Sequence, residues 1–256
     1  MPLYRLLTLL LCPLLGLAAQ PLWADTVTAA VAANFTRPMQ ALADRFEADT
    51  GHQLRLSFGS SSQLFAQIQN GAPFDVFLSA DQAKPQALID AGDALAGSDF
   101  TYAVGTLALW SATPDRFSNG EALLRSGDFN RLAIANPRLA PYGAAAMEVL
   151  ERLGLNEQLA DQLVLGQNIA QTHQFVATGN AELGLVALSQ LVNHRKVPTG
   201  TTWIIPNNYY HPIRQDAVLL SRAEDNAAAL ALLDYLRSDT TQALIETYGY
   251  HIEVPG

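Results

Sequence analysis

Leu54-Arg55-Leu56-Ser57-Phe58-Gly59-Ser60-Ser61-Ser62-Gln63-Leu64-Phe65-Ala66-Gln67-Ile68-Gln69-Asn70-Gly71-Ala72-Pro73-Phe74-Asp75-Val76-Phe77-Leu78 decides the fold class of this chain. Residues 54–58 read as a strand, 63–69 carry helical spacing, Gly71 supplies a left-handed cap, and 76–78 form a short buried strand. Upstream, 27–31 read as a strand and 39–46 as a helix that tolerates Pro38 in its first turn. The product is βαβαβ, which builds a parallel sheet with helices on its faces.

Downstream, 102–110 read as one long strand, and a polar, proline-containing segment follows. A second α/β series begins with a strand over 132–135 and continues with helices over 143–153 and 171–177, closed by Gly154 and Gly179. Strands over 183–186 and 217–220 and helices over 227–236 and 242–248 complete the chain. The expected architecture is two lobes, each a mainly parallel sheet flanked by helices. Residues 25–103 with 223–256 form lobe one, 104–222 form lobe two, and the chain crosses near 103–105. Ligands of open α/β sheets bind outside the carboxyl ends of the strands, so two facing lobes place a site in the cleft between them.

Residues 1–24 read as a secretory signal: Arg5, an apolar run over 6–17 too short to span a bilayer, and small residues before Asp25. Cleavage is expected after Ala24, with Ala19 as the alternative. Cys12, the only cysteine, leaves with that segment, so the exported chain has neither disulfide nor thiol ligand. The formal charge is -9, from 15 Lys and Arg against 24 Asp and Glu. That sign argues against nucleic acid or an anionic membrane as partner. It also means that an anion bound here must be held by local dipoles.

Four strand-to-helix junctions supply such dipoles: Ala32-Ala33-Asn34-Phe35, Gly59-Ser60-Ser61-Ser62, Ala140-Pro141-Tyr142-Gly143 and Gln167-Asn168-Ile169-Ala170. Each leaves unpaired N–H groups at a helix start, where negative charge is favoured. A lone Ser or Asn there is ordinary capping. Three consecutive serines exceed what a cap needs, and no carboxylate lies within the four junctions. Hydroxyls and amides suit an ionised oxyanion that only accepts hydrogen bonds.

Ala32-Ala33-Asn34-Phe35, Ser57-Phe58-Gly59-Ser60-Ser61-Ser62-Gln63-Leu64, Gly71-Ala72-Pro73-Phe74-Asp75-Val76-Phe77-Leu78-Ser79-Ala80-Asp81 and Leu183-Gly184-Leu185-Val186-Ala187 together resemble the molybdate-binding component of molybdate ABC transporters. The resemblance spans nearly all of the chain after residue 24. It implies a periplasmic, monomeric, two-lobed type II binding protein that closes on molybdate or tungstate, needs no cofactor or metal and no Lys or Arg counter-charge, catalyses nothing, and delivers its cargo to a membrane permease. It also implies site residues. Asn34 would donate its backbone N–H and side-chain amide, with Ala33 adding a weaker backbone donor. Ser61 would donate hydroxyl and N–H, and Tyr142 and Ile169 their backbone N–H groups. Ala187 departs from the better-known pattern, in which a tyrosine hydroxyl closes the shell at that position. Either the Tyr142 hydroxyl replaces it or the shell has fewer side-chain donors. Ser79 is expected behind the site at most, and Asp81 as an ordinary helix cap.

Three rival chemistries are weaker. Tyr209-Tyr210-His211 could ligate ferric iron through phenolates and an imidazole. Ser61, His173 and Asp75 or Asp81 could form a hydrolytic set, but no Gly-X-Ser-X-Gly elbow is present. Zinc is disfavoured because His173, His194, His211 and His251 are scattered and have no cysteine partner. Among oxyanions, phosphate can donate a proton and is often met by a carboxylate, whereas sulfate differs from molybdate only in size.

Overall fold

The computed structural model describes residues 24–192 and 199–253. Residues 1–23 of the signal expected over 1–24, with Cys12, and His194 lie outside them. The chain runs β1 (Thr26–Ala32), α1 (Thr36–Thr50), β2 (Gln53–Gly59), α2 (Ser61–Gln69), β3 (Val76–Leu78), α3 (Ala83–Ala91) and β4 (Phe100–Gly105). It continues through β5 (Leu107–Ser111), α4 (Gly120–Ser126), β6 (Leu132–Ala135), α5 (Pro141–Leu153), β7 (Leu163–Gly166), α6 (Ile169–Ala177), β8 (Leu183–Ala187), α7 (Leu188–Leu191) and β9 (Thr201–Ile204). It ends with β10 (Ile213–Leu219), α8 (Ala227–Arg237) and α9 (Asp239–Glu246).

Two sheets result, in the orders β2-β1-β3-β10-β4 and β7-β6-β8-β5-β9. In each, a single strand, β10 or β5, is antiparallel to both neighbours, and the other strands share one direction. The two-lobed, mainly parallel architecture read from the sequence is therefore present. Two of its boundaries are not. The expected strand over 102–110 is two strands in different sheets, β4 and β5, parted at Thr106 where the chain crosses between lobes. The strand expected to close lobe two is β10, which pairs with β3 and β4 of lobe one. The second crossing thus falls between β9 and β10, over 205–212, instead of at 223, and 104–105 also stay with lobe one. The cause is that Ala217, Val218 and Leu219 are buried on both faces of the first sheet, a position only a wholly apolar run can occupy.

Helices on both faces of each sheet are fixed by ordinary sequence logic. Met39, Leu42 and Phe46 form the buried stripe of α1, which packs with α8 residues Ala229, Leu232 and Leu236 against β1. On the opposite face Leu64 and Ile68 of α2 meet Phe77 and Leu88. Left-handed Gly71 and Gly154 close α2 and α5 where the sequence placed their ends. The lobes are held together across the cleft. The Ser62 N–H donates to the Leu139 carbonyl (3.2 Å), the Ser62 hydroxyl to the Arg138 carbonyl (3.3 Å), the Ser189 hydroxyl to the Asn34 carbonyl (2.9 Å), and Arg37 to the Gln190 carbonyl (2.9 Å).

Candidate functional site

The carboxyl ends of β1, β2 and β6 deliver three of the junctions to one place, and the start of α6 delivers the fourth. A small cavity lies between them, lined by Ala32, Ala33, Asn34, Gly59, Ser60, Ser61 and Ala80 from lobe one and by Ala140, Pro141, Tyr142, Asn168 and Ile169 from lobe two. Every lining residue is uncharged.

Each helix start meets its own capping needs and leaves specific N–H groups over. Ser60 caps α2: its hydroxyl accepts from the Gln63 N–H and the Gln63 side chain returns to the Ser60 N–H, a reciprocal capping box. Ser62 is used across the cleft. Only Ser61 remains, 1 % exposed, and its Oγ accepts from the Ala80 N–H at 2.9 Å. That bond uses one of the two acceptor lone pairs of the hydroxyl and does not engage its proton. Among the described residues no protein acceptor takes its proton. On α5, Pro141 has no N–H and Gly143 donates to Ala140, so Tyr142 presents the first free N–H. Gly143 must be glycine, because a Cβ there would strike the Ala135 carbonyl at the end of β6. On α6, the Asn168 side chain caps the Gln171 N–H, and the N–H of Ile169 is left over. At the 3-10 turn Ala33–Phe35, the first-turn N–H groups of Ala33 and Asn34 likewise lack an intrahelical partner.

Two expected side-chain donors point elsewhere. The Asn34 amide gives its hydrogens to Gln215 Oε1 (2.7 Å) and to the Tyr250 hydroxyl (2.9 Å), so Asn34 faces the cavity through its backbone. The Tyr142 hydroxyl accepts from Gln215 Nε2 (3.2 Å) beside Gly105, a glycine that does not line the cavity. Ala187 is fully buried in the lobe-two core and also stands outside the lining. Beneath the cavity, Asn34, Gln215, Tyr102, Tyr142, Tyr250 and Ser189 form one buried polar network. Burial pushes the Tyr102 and Tyr142 phenols well up and raises Tyr250 to about 12, so all three stay neutral. Sequence reasoning missed Gln215, Tyr250, Ser189 and the Ala80 N–H. Gln215 stands between Arg214 and Asp216 in the polar first half of β10, so its neighbours in sequence gave no signal that it is buried.

The rival constellations do not assemble. The Tyr209 hydroxyl donates to Glu121, the Tyr210 hydroxyl accepts from the Leu107 N–H at the first crossing, and His211 meets Glu148. No group of three or more His, Cys, Asp or Glu suited to a metal ion occurs among the described residues. His173 stacks on Trp110 with centroids 4.7 Å apart, away from the Ser61 hydroxyl, while Asp75 binds the Thr28 N–H and Arg222. Asp81 accepts from the Lys84 N–H in the first turn of α3, as a cap does.

Residues 27–251 match the family model described as bacterial extracellular solute-binding protein. The chain is 52% identical over 249 residues to the molybdate-binding protein ModA of Azotobacter vinelandii, covering 97% of this chain and 98% of the relative. It is 48% identical over 239 residues to ModA of Rhodobacter capsulatus, covering 93% of each. The solved structure of an Azotobacter vinelandii periplasmic molybdate-binding protein superimposes with a TM-score of 0.86 at 39% identity, covering 89% of this chain and 100% of that one. The chain belongs to the bacterial extracellular solute-binding proteins, within the group formed by the periplasmic molybdate-binding proteins.

Proposed function

We propose that this chain is the periplasmic carrier of an ABC importer, exported by its N-terminal signal, and that it captures molybdate, or tungstate, as a monomer and hands it to a membrane permease. The observation that carries the reading is the uncharged cavity on which first-turn N–H groups converge from both lobes, joined by a Ser61 hydroxyl that accepts from the Ala80 N–H and gives its proton to no acceptor among the described residues. A fully ionised tetrahedral oxyanion accepts at every oxygen and donates at none, which is the complement of that lining. Helix-start dipoles supply the attraction that a chain of charge -9 cannot supply through its overall field. Asn34, Ala33 and Ser61 hold the anion from lobe one, and Tyr142 and Ile169 from lobe two. Ligand and interlobe bonds then favour the same closed arrangement, and binding shifts the population toward it. No counter-cation, cofactor or chemical step is required.

The test is calorimetric titration of purified, chelator-treated protein with molybdate, tungstate, sulfate, phosphate and ferric citrate. Molybdate and tungstate should bind one per chain, with sulfate and phosphate much weaker. Tight ferric binding without oxyanion binding would overturn the reading.

A further inference from the structure

Gln215 is a fully buried amide between Arg214 and Asp216 in β10, and a buried polar group is costly unless its hydrogen bonds are met. They are met on both sides. Oε1 accepts from Asn34 Nδ2 at 2.7 Å and from the Tyr102 hydroxyl at 3.1 Å, and Nε2 donates to the Tyr142 hydroxyl at 3.2 Å. Asn34 and Tyr142 are the residues whose backbones face the cavity from opposite lobes. The pairing of β10 with β4 slips between Gln215 and Asp216, an irregularity of the kind that re-aims a side chain. β10 is also the first element after the chain returns from lobe two.

We propose that Gln215 is a positioning residue for oxyanion capture: one amide ties the Asn34 turn of lobe one to the Tyr142 helix start of lobe two, and so holds the closed site together. The inference rests on the oxyanion reading above. Gln215 touches no ligand in this account; it acts by keeping two donors in mutual register once the lobes have met. Its loss should therefore leave capture by the open protein unchanged and speed release.

The experiment compares wild type with Gln215→Met, Tyr142→Phe and the double variant. Tyr142→Phe keeps the backbone N–H that faces the cavity and removes only the hydroxyl, so it tests the same bond should Gln215→Met fold poorly. Molybdate affinity comes from calorimetry, the dissociation rate from exchange of radiolabelled molybdate into unlabelled excess, and the association rate from the two together. Each single variant should release molybdate about tenfold faster with an association rate within about twofold of wild type. The effects of the two singles should not multiply in the double variant, because the Gln215–Tyr142 bond is lost in both. A purely structural defect would lower the melting temperature and the bound stoichiometry without this split. Unchanged release, a loss carried by the association rate, or single effects that multiply in the double variant would each overturn the inference. Absence of molybdate binding by the wild type would instead overturn the oxyanion reading itself.

Discussion

Replacing Ser61 with Ala separates two jobs that a single hydroxyl performs. Its oxygen accepts from the Ala80 N–H at 2.9 Å, and its proton is available to the cavity. Losing the acceptor leaves the Ala80 N–H unpaired, with Ala80 itself 3 % exposed, a cost of about 1 to 3 kcal/mol in folding stability. At roughly 2 to 4 °C per kcal/mol for a chain of this size, the ligand-free melting temperature should fall measurably. Losing the donor removes a hydrogen bond to a charged group, about 1.5 to 3 kcal/mol, which weakens molybdate binding about 10- to 150-fold. Calorimetry of the Ser61→Ala protein, with stoichiometry near one confirming that it is folded, reads the second effect. Differential scanning calorimetry without ligand reads the first. A lowered melting temperature with unchanged molybdate affinity would refute the reasoning, because the hydroxyl would then serve only Ala80.

Gly105→Ala would drive a methyl group into the Tyr142 hydroxyl and Gln215 Nε2; overpacking of that kind costs about 1 to 3 kcal/mol, and both the melting temperature and molybdate affinity should drop. Thr106, at the first crossing, buries a hydroxyl that has no hydrogen-bond partner, so Thr106→Val should raise the urea midpoint or leave it unchanged; a clear loss of stability would contradict that assignment. His173 is held below 6.5 by burial and then by the Arg37 charge. Between its lowered folded value and 6.5 the unfolded chain binds the extra proton, so stability falls as pH drops through that window and levels off below it. His173→Phe keeps a ring on Trp110 and should flatten that fall in urea unfolding followed across the window, whereas identical slopes would show that His173 does not contribute.

The fold was legible where the signals were local. The left-handed glycines that close helices and the apolar runs of β1, β3, β6 and β8 could be read directly. β9, Thr201–Ile204, was not assigned, because Thr201-Thr202-Trp203-Ile204 has neither alternation nor a bounded apolar run and becomes a strand only by pairing with β5. α4 was hidden in a segment read as polar, although Asn119 caps it by accepting from the Ala122 N–H. The break at Thr106 was invisible for the opposite reason: residues on both sides are strand-forming, and only the change of sheet divides them. The site followed the same division. The junctions are local features and were found, but which of three serines keeps a free proton depends on Gln63, Arg138 and Ala80. The direction of the Asn34 amide depends on Gln215, which lies 181 positions away.

The central claim is a place as much as a ligand. Next to the cavity runs a wider groove lined by Lys84, Arg138 and Arg214 along with Asp81 and Glu148, and it holds the cationic side chains nearest the cavity lining. Diffraction from crystals grown with molybdate, recorded at the molybdenum absorption edge, locates the metal without reference to any assumed pose. The account predicts one anomalous peak per chain, enclosed by the backbone N–H groups of Asn34, Ser61, Tyr142 and Ile169. A peak in the Lys84, Arg138 and Arg214 groove, with none between the four helix starts, would contradict it.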